Sequence, residues 1–304
     1  MRASEADCIS RTGGEVRFAS LLPSSVLRIR VSIYNRAVFP RLLHLGSFNL
    51  PTYGVMAALG LICGLMLIIR VGREQGLDPD KLWNLGIVAI LSGVIGAKIL
   101  MILVDFGYYT EHPGEIFALS TLQAGGVWSG GLLLALVMCI WYMHRNQMPV
   151  LATCDVFAPG LALGHAFGRI GCFAAGCCWG RETHVPWAVT FRNPLAGEIV
   201  GTPLGIPLHP TQIYEFLLEL LNCVFLVWLI RRKKFEGEII GTYLIIYGIG
   251  RYFIEFFRGD PGRGELLGFL TGTQGIALLL VVAGGLLWLR RVPLRQPAKL
   301  ASAR

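Results

Sequence analysis

The sequence predicts an all-α, polytopic membrane protein of seven transmembrane helices, N-terminus outside, C-terminus cytoplasmic, with a small extracytoplasmic cap. Three observations lead there. Of 304 residues, 54% are hydrophobic and 15% charged, against about 25% charged in a soluble domain, and the mean hydropathy is +0.59. The apolar residues gather in stretches close to the roughly 20 residues that cross a bilayer. Lys and Arg concentrate in alternate connections, as the positive-inside rule requires. This composition excludes a disordered chain, a coiled coil and most soluble enzymes.

The spans fall at about 50–70, 82–104, 126–143, 154–176, 211–230, 238–257 and 271–289. In lipid the backbone must hydrogen-bond to itself, so each span is a helix. The first is followed by Arg70, Arg73 and Lys81, the third by Arg145, the fifth by Arg231, Arg232, Lys233 and Lys234, and the seventh by Arg290 and Arg291. The other connections hold only Arg181, Arg192, Arg258 and Arg263, which sets the orientation. The fourth span is Gly-rich and carries His165 and Arg169, so hydropathy alone scores it poorly. The connection 177–210 contains Pro186, Pro194, Pro203, Pro207 and Pro210 and is long enough for the cap. The helical domain is expected over 46–290, with a basic cytoplasmic tail at 291–304. Residues 1–45 carry seven arginines, which conflicts with an outside N-terminus. A start near Val31 is expected; a short amphipathic segment lying on the membrane over 21–39 is the alternative.

The +8 net charge is explained by topology, so no nucleic-acid partner is expected. Three cations lie inside spans: Lys98, Arg169 and Arg251. A charge in a span is a functional-site hypothesis. Counted along their helices all three stand roughly 20–24 Å from the inner face, in the outer half of the bilayer. Tyr53, the 125–131 glycine block with Trp128 and Ser129, and His209, Gln212, Tyr214 and Glu215 reach the same level. Tyr247, Arg251 and Glu255 share one helix face at i, i+4, i+8. The pattern suits an anion site, and arginine's planar fork suits a phosphate diester such as a phospholipid headgroup. Structural ion pairs, Arg251 with Glu255 on one helix and Lys98 with Glu215 or Glu219 between helices, are the plainer reading.

The segment 168–181 is the densest signal: Gly168, Arg169, Gly171, Cys172, Gly176, Cys177, Cys178, Gly180 and Arg181. Its glycines allow close approach of a ligand or of another helix. Its cysteines do not have a zinc-finger spacing and read as packing residues; no metal or cofactor is expected.

At this segment the chain resembles the bacterial prolipoprotein diacylglyceryl transferases. Gly168-Arg169-Ile170-Gly171 running to Gly180-Arg181 resembles their signature. Thr52-Tyr53-Gly54, His209-Pro210-Thr211-Gln212-Ile213-Tyr214-Glu215 and the run Tyr247 to Arg258 resemble three further blocks, in order. The resemblance implies a multi-pass enzyme of the bacterial plasma (inner) membrane. Such an enzyme moves the diacylglyceryl group of phosphatidylglycerol onto the lipobox cysteine of a prolipoprotein and releases glycerol phosphate. It implies that Arg169 binds the lipid phosphate, that Arg251 is the second essential arginine, and that Tyr53 is the first-helix tyrosine. Gly168, Gly171, Gly180, Tyr247 and Ser129 are expected to line the substrate. The family's Asn, Asn and Glu are Cys172, Ala175 and Cys177 here, and its proposed basic histidine is replaced by Ser129. A thiolate nucleophile must still be generated from a thiol of pKa about 8.5. His209 is the candidate base, and the lipid phosphate is an alternative acceptor. The rival readings are a paralogue with another acceptor and a non-enzymatic transporter of anionic lipid.

Overall fold

The fold is described from a computed structural model covering residues 38–45, 48–118, 121, 126–260, 265–266 and 270–294. The expectations for residues 1–37, for Gly125 and Arg263, and for the tail beyond 294 lie outside the described residues.

Each expected span is a helix: α1 (Thr52–Glu74), α2 (Pro79–Val104), α3 (Trp128–Arg145), α4 (Val150–Ala175), α5 (Thr211–Ile230), α6 (Glu238–Glu255) and α7 (Gly272–Arg290). Among the described residues, α1, α2, α4, α5 and α7 are long and apolar enough to cross a membrane. They leave apolar side chains outward, Leu91, Val94 and Ile95 on α2 and Leu278, Leu279 and Val282 on α7 among them, as lipid-facing surface requires. Helix α4 starts at Val150, four residues before its expected start at 154, because Pro149 serves as its N-cap and its first turn is already helical. It ends at Gly176, whose φ of +84° is left-handed and closes the helix.

Helix α4 is central, packing on α1, α5 and α6, while α2 packs chiefly on α3 and α6 on α7. Glycines set the closest approaches. A β-carbon on Gly64 of α1 would stand 2.7 Å from the Gly160 carbonyl of α4, and one on Gly96 of α2 would stand 2.4 Å from the Gly130 carbonyl of α3. Without a hydrophobic drive between helices in lipid, such small-residue contacts supply van der Waals packing.

The two ends of the bundle differ. At one end Ile68, Val71, Leu82, Leu85, Met143, Val156, Leu226, Ile230 and Ile239 form a buried apolar cluster from six helices. Beside it Asp155 of α4, fully buried, caps α6 across the helix–helix interface. Its carboxylate accepts from the backbone N–H groups of Gly237 (2.8 Å), Ile239 (3.0 Å) and Ile240 (2.9 Å), and Lys233 stands 3.4 Å away. A carboxylate satisfies the orphan N–H groups of a helix start and complements its dipole.

The other end carries the small β pairs. β1 (Arg41–Leu45) and β2 (Phe48–Pro51) form an antiparallel hairpin leading into α1, with Leu43 opposite Leu50. In the 177–210 connection, β3 (Val189–Thr190) pairs with β4 (Pro207–Leu208) around a short helix, Pro194–Val200. Its core is Val38, Trp179, Phe191, Ala196 and Leu208. Asn193 ties it to the chain before α1 by donating to the Val38 carbonyl at 3.1 Å. β5 (Glu265–Leu266) and β6 (Leu270–Thr271) precede α7.

Asp155→Ala strands three buried backbone donors and leaves Lys233 with Glu236 alone, so it should cost about 3 kcal/mol or more. Asp155→Asn keeps an acceptor and should cost less. Thermal unfolding in detergent checks the order wild type, then Asn, then Ala.

Candidate active site

Three helices bring polar residues to one place, each on a single face. Helix α4 supplies His165 and Arg169, α5 supplies Glu215 and Glu219, and α6 supplies Tyr247, Arg251 and Glu255. Every neighbouring pair is spaced i, i+4, which stacks side chains on one stripe of a helix. The stripes meet at the end of the bundle where α4 and α6 finish and α5 begins.

Glu215, fully buried, is the junction. Its Oε1 lies 2.9 Å from Nη2 of Arg169 and 3.6 Å from Nε of Arg251. Arg251 also pairs with Glu255 at 2.8 Å, and Glu255 accepts from the Thr271 hydroxyl at 2.9 Å. His165 closes the group. Its Nε2 accepts from Nε of Arg169 at 3.1 Å and lies 3.6 Å from Glu215, while Nδ1 is 3.3 Å from Glu219. The Tyr247 ring meets His165 edge-on at 5.3 Å and stacks on Tyr243 at 5.9 Å. Glu215 and Glu219 are sealed, whereas the side chains of Arg169 and His165 keep 17% and 25% of their surface, so the cluster opens on the α4 side.

Several expectations meet here and others do not. Arg169, Arg251 and Tyr247 converge, and the Arg251–Glu255 ion pair is present. Tyr53, half-exposed at the start of α1, packs on α4 beside Gly171, where a β-carbon would touch its ring at 3.3 Å. Gly168 has open space where a side chain would stand. Lys98 is engaged elsewhere, donating to the Thr121 carbonyl in the connection between α2 and α3. Equal depth along a helix does not fix which neighbour a side chain faces. Ser129 begins α3, whose packing is chiefly on α2. Gly180 is closely packed: a β-carbon there would come within 2.5 Å of His209 and 2.7 Å of the Phe257 carbonyl.

His209 does not reach the cluster in the contacts observed. Its Nδ1 is 3.0 Å from the Tyr214 hydroxyl, which also accepts from Trp187 at 2.7 Å, and its ring packs edge-on against Phe257. It braces the cap. The histidine beside the arginine is His165, and the signal was available: His165–Arg169 and Glu215–Glu219 are both i, i+4 pairs.

The chain beyond Arg169 is clamped between α5 and the end of α6. The Cys177 carbonyl accepts from Gln212 at 2.6 Å and the Cys178 carbonyl from Thr211 at 2.7 Å. Gly180 donates to the His209 carbonyl and Arg181 to that of Phe257. These bonds explain the side chains of the Thr211-Gln212 pair and fix α4's end against α5. The Cys172, Cys177 and Cys178 thiols, expected as separate packing residues, converge within 4.8 Å of one another.

Removing the shared carboxylate leaves two buried guanidiniums facing each other. Glu215→Gln should therefore destabilise by about 3–5 kcal/mol. Glu219→Gln, which faces His165 rather than a guanidinium, should cost less; melting of the two variants compares them.

Known proteins resemble the chain over this whole region. The family model described as prolipoprotein diacylglyceryl transferase matches residues 40–290. A phosphatidylglycerol–prolipoprotein diacylglyceryl transferase of Clostridium tetani is 37% identical over 246 residues, 81% of this chain and 94% of that protein. One from Clostridium perfringens is 37% identical over 241 residues, 78% of this chain and 89% of the relative. One from Aliivibrio salmonicida is 32% identical over 252 residues, 82% and 85% of the two chains. This chain belongs to the prolipoprotein diacylglyceryl transferase family.

Proposed function

We propose that this chain transfers the diacylglyceryl group of phosphatidylglycerol to the lipobox cysteine thiol of a prolipoprotein, forming a thioether and releasing glycerol phosphate. The observation that carries the reading is the pair of guanidiniums, Arg169 and Arg251, held on one buried carboxylate. Family membership and the names of the relatives support the substrates. The distribution of Lys and Arg supports seven crossings of the bacterial inner membrane, with the cluster in the outer leaflet and the C-terminus cytoplasmic.

The chemistry follows from the charges. The lipid phosphate competes with Glu215 for the two guanidiniums. Arg169 anchors the phosphate and Arg251 stabilises the oxygen that leaves, a preorganised electrostatic contribution in a water-poor site. As Arg169 turns to the phosphate it releases Nε2 of His165. That nitrogen takes the proton of the incoming thiol, and the imidazolium lies between Glu215 and Glu219, which its charge complements. The sulfur attacks the glyceryl carbon, the carbon–oxygen bond to the phosphate breaks, and its electron pair stays on the departing glycerol phosphate. Tyr53 and Tyr247 orient the headgroup.

Purified protein with phosphatidylglycerol and a lipobox peptide should give a diacylglyceryl mass gain and free glycerol phosphate. Arg169→Ala should lower the rate by about a hundredfold or more. Glycerol phosphate without modified peptide would indicate another acceptor, and the absence of both products with folded protein would overturn the transferase reading.

His165→Gln keeps a hydrogen bond to Arg169 but cannot titrate. Its turnover should fall by about 10²–10⁴-fold and lose its dependence on a base, with KM for the lipid little changed. The pH profile of turnover is the measurement.

A further inference from the structure

Cys172 lies three residues beyond Arg169, on the same side of α4, and the sulfurs of Cys172, Cys177 and Cys178 stand within 4.8 Å of one another. The backbone takes two left-handed residues to bring them there. One is Gly176; the other is Cys178 at φ +63°, a conformation that residues with a β-carbon rarely adopt. It is held by the Thr211 and Gln212 bonds to the neighbouring carbonyls. The side chains thus converge from a fixed frame.

Three sulfurs around one ion at about 2.3 Å stand about 3.8–4.0 Å apart. The observed set, within 4.8 Å, lies within about 1 Å of that spacing. Thiolates are soft ligands that select zinc-class ions. The excess negative charge of three thiolates also has partners. Arg258, bidentate on Asp260 at 2.7 and 2.8 Å, adds positive charge near Cys178, and Arg169 lies one turn from Cys172. Three protein ligands leave a fourth tetrahedral position, the arrangement of metal sites that act on a substrate.

We propose that Cys172, Cys177 and Cys178 hold one zinc-class ion through three thiolates and leave its fourth position to the acceptor thiol of the precursor. The second half rests on the transferase reading. A thiol that coordinates such an ion loses its proton outright. Here the proton leaves by way of water towards His165, two turns back along α4 from Cys172, the metal-held sulfur attacks the glyceryl carbon, the carbon–oxygen bond breaks towards the phosphate, and the thioether product leaves the metal. The ion thereby supplies the activation that Ser129 cannot.

The test titrates the reduced, desalted full chain with Cd²⁺ and follows sulfur-to-metal charge-transfer absorption in the ultraviolet. The expected result is one Cd²⁺ per chain, lost in both Cys177→Ser and Cys178→Ser and kept in Cys63→Ser and Cys139→Ser. Adding a lipobox peptide should then increase the band by one further thiolate, and the peptide with Ser for Cys should not. Wild-type protein of native helicity with three reactive thiols and no band would overturn the site, as would a disulfide among the three in the isolated chain. A band that the peptide leaves unchanged would overturn the acceptor position. Chelator-treated protein that transfers at the full rate would overturn the inference while leaving the transferase intact, and absence of transfer with the metal bound would count against the transferase alone.

Discussion

The site depends on burying one carboxylate between two arginines. Each charge inside an apolar bundle would be costly alone, and in lipid there is no water to relieve it. Glu215 makes Arg169 and Arg251 tolerable at rest, and through it α4, α5 and α6 are locked at one end. On the proposed mechanism an anionic ligand replaces that same contact, so the structural ion pair and the phosphate site are two states of one set of groups and the two readings of these charges do not exclude each other.

The bundle is arranged to keep that contact in register. At the far end the Asp155 carboxylate holds the start of α6 to α4. At the near end the Thr211 and Gln212 side chains hold the end of α4 to α5. Glycine contacts bring α1 close enough to α4 for Tyr53 to lie over Gly171. Both ends of α4 are thus anchored by polar bonds, while its middle packs through small residues.

The helices were legible because the bilayer forces apolar stretches to be helical, so hydropathy reads them directly. The start of α4 was missed by four residues because a helix begun behind Pro149 has no charge or hydropathy break to mark it. Arg169, Arg251 and Tyr247 were legible as costly or patterned residues in spans. Lys98 engages the Thr121 carbonyl, a neighbour that depth along a helix does not fix. His209 drew attention as an outer histidine before a proline, yet its ring is used by Tyr214 and Phe257; His165, quiet on a Gly-rich helix, is the one beside the arginine. The convergence of the three thiols was hidden because it depends on the left-handed turn at Cys178, which no residue type announces.

On the proposed mechanism the lipid phosphate takes the place of Glu215 on the two arginines. A structure of the full chain with phosphatidylglycerol bound tests it most directly. The predicted result is a phosphate oxygen within hydrogen-bond distance of both Arg169 and Arg251, with Glu215 no longer bridging them and Nε2 of His165 freed from Arg169. A phosphate seated on Arg181 and Arg258 instead, with the Arg169–Glu215–Arg251 contact intact, would contradict it.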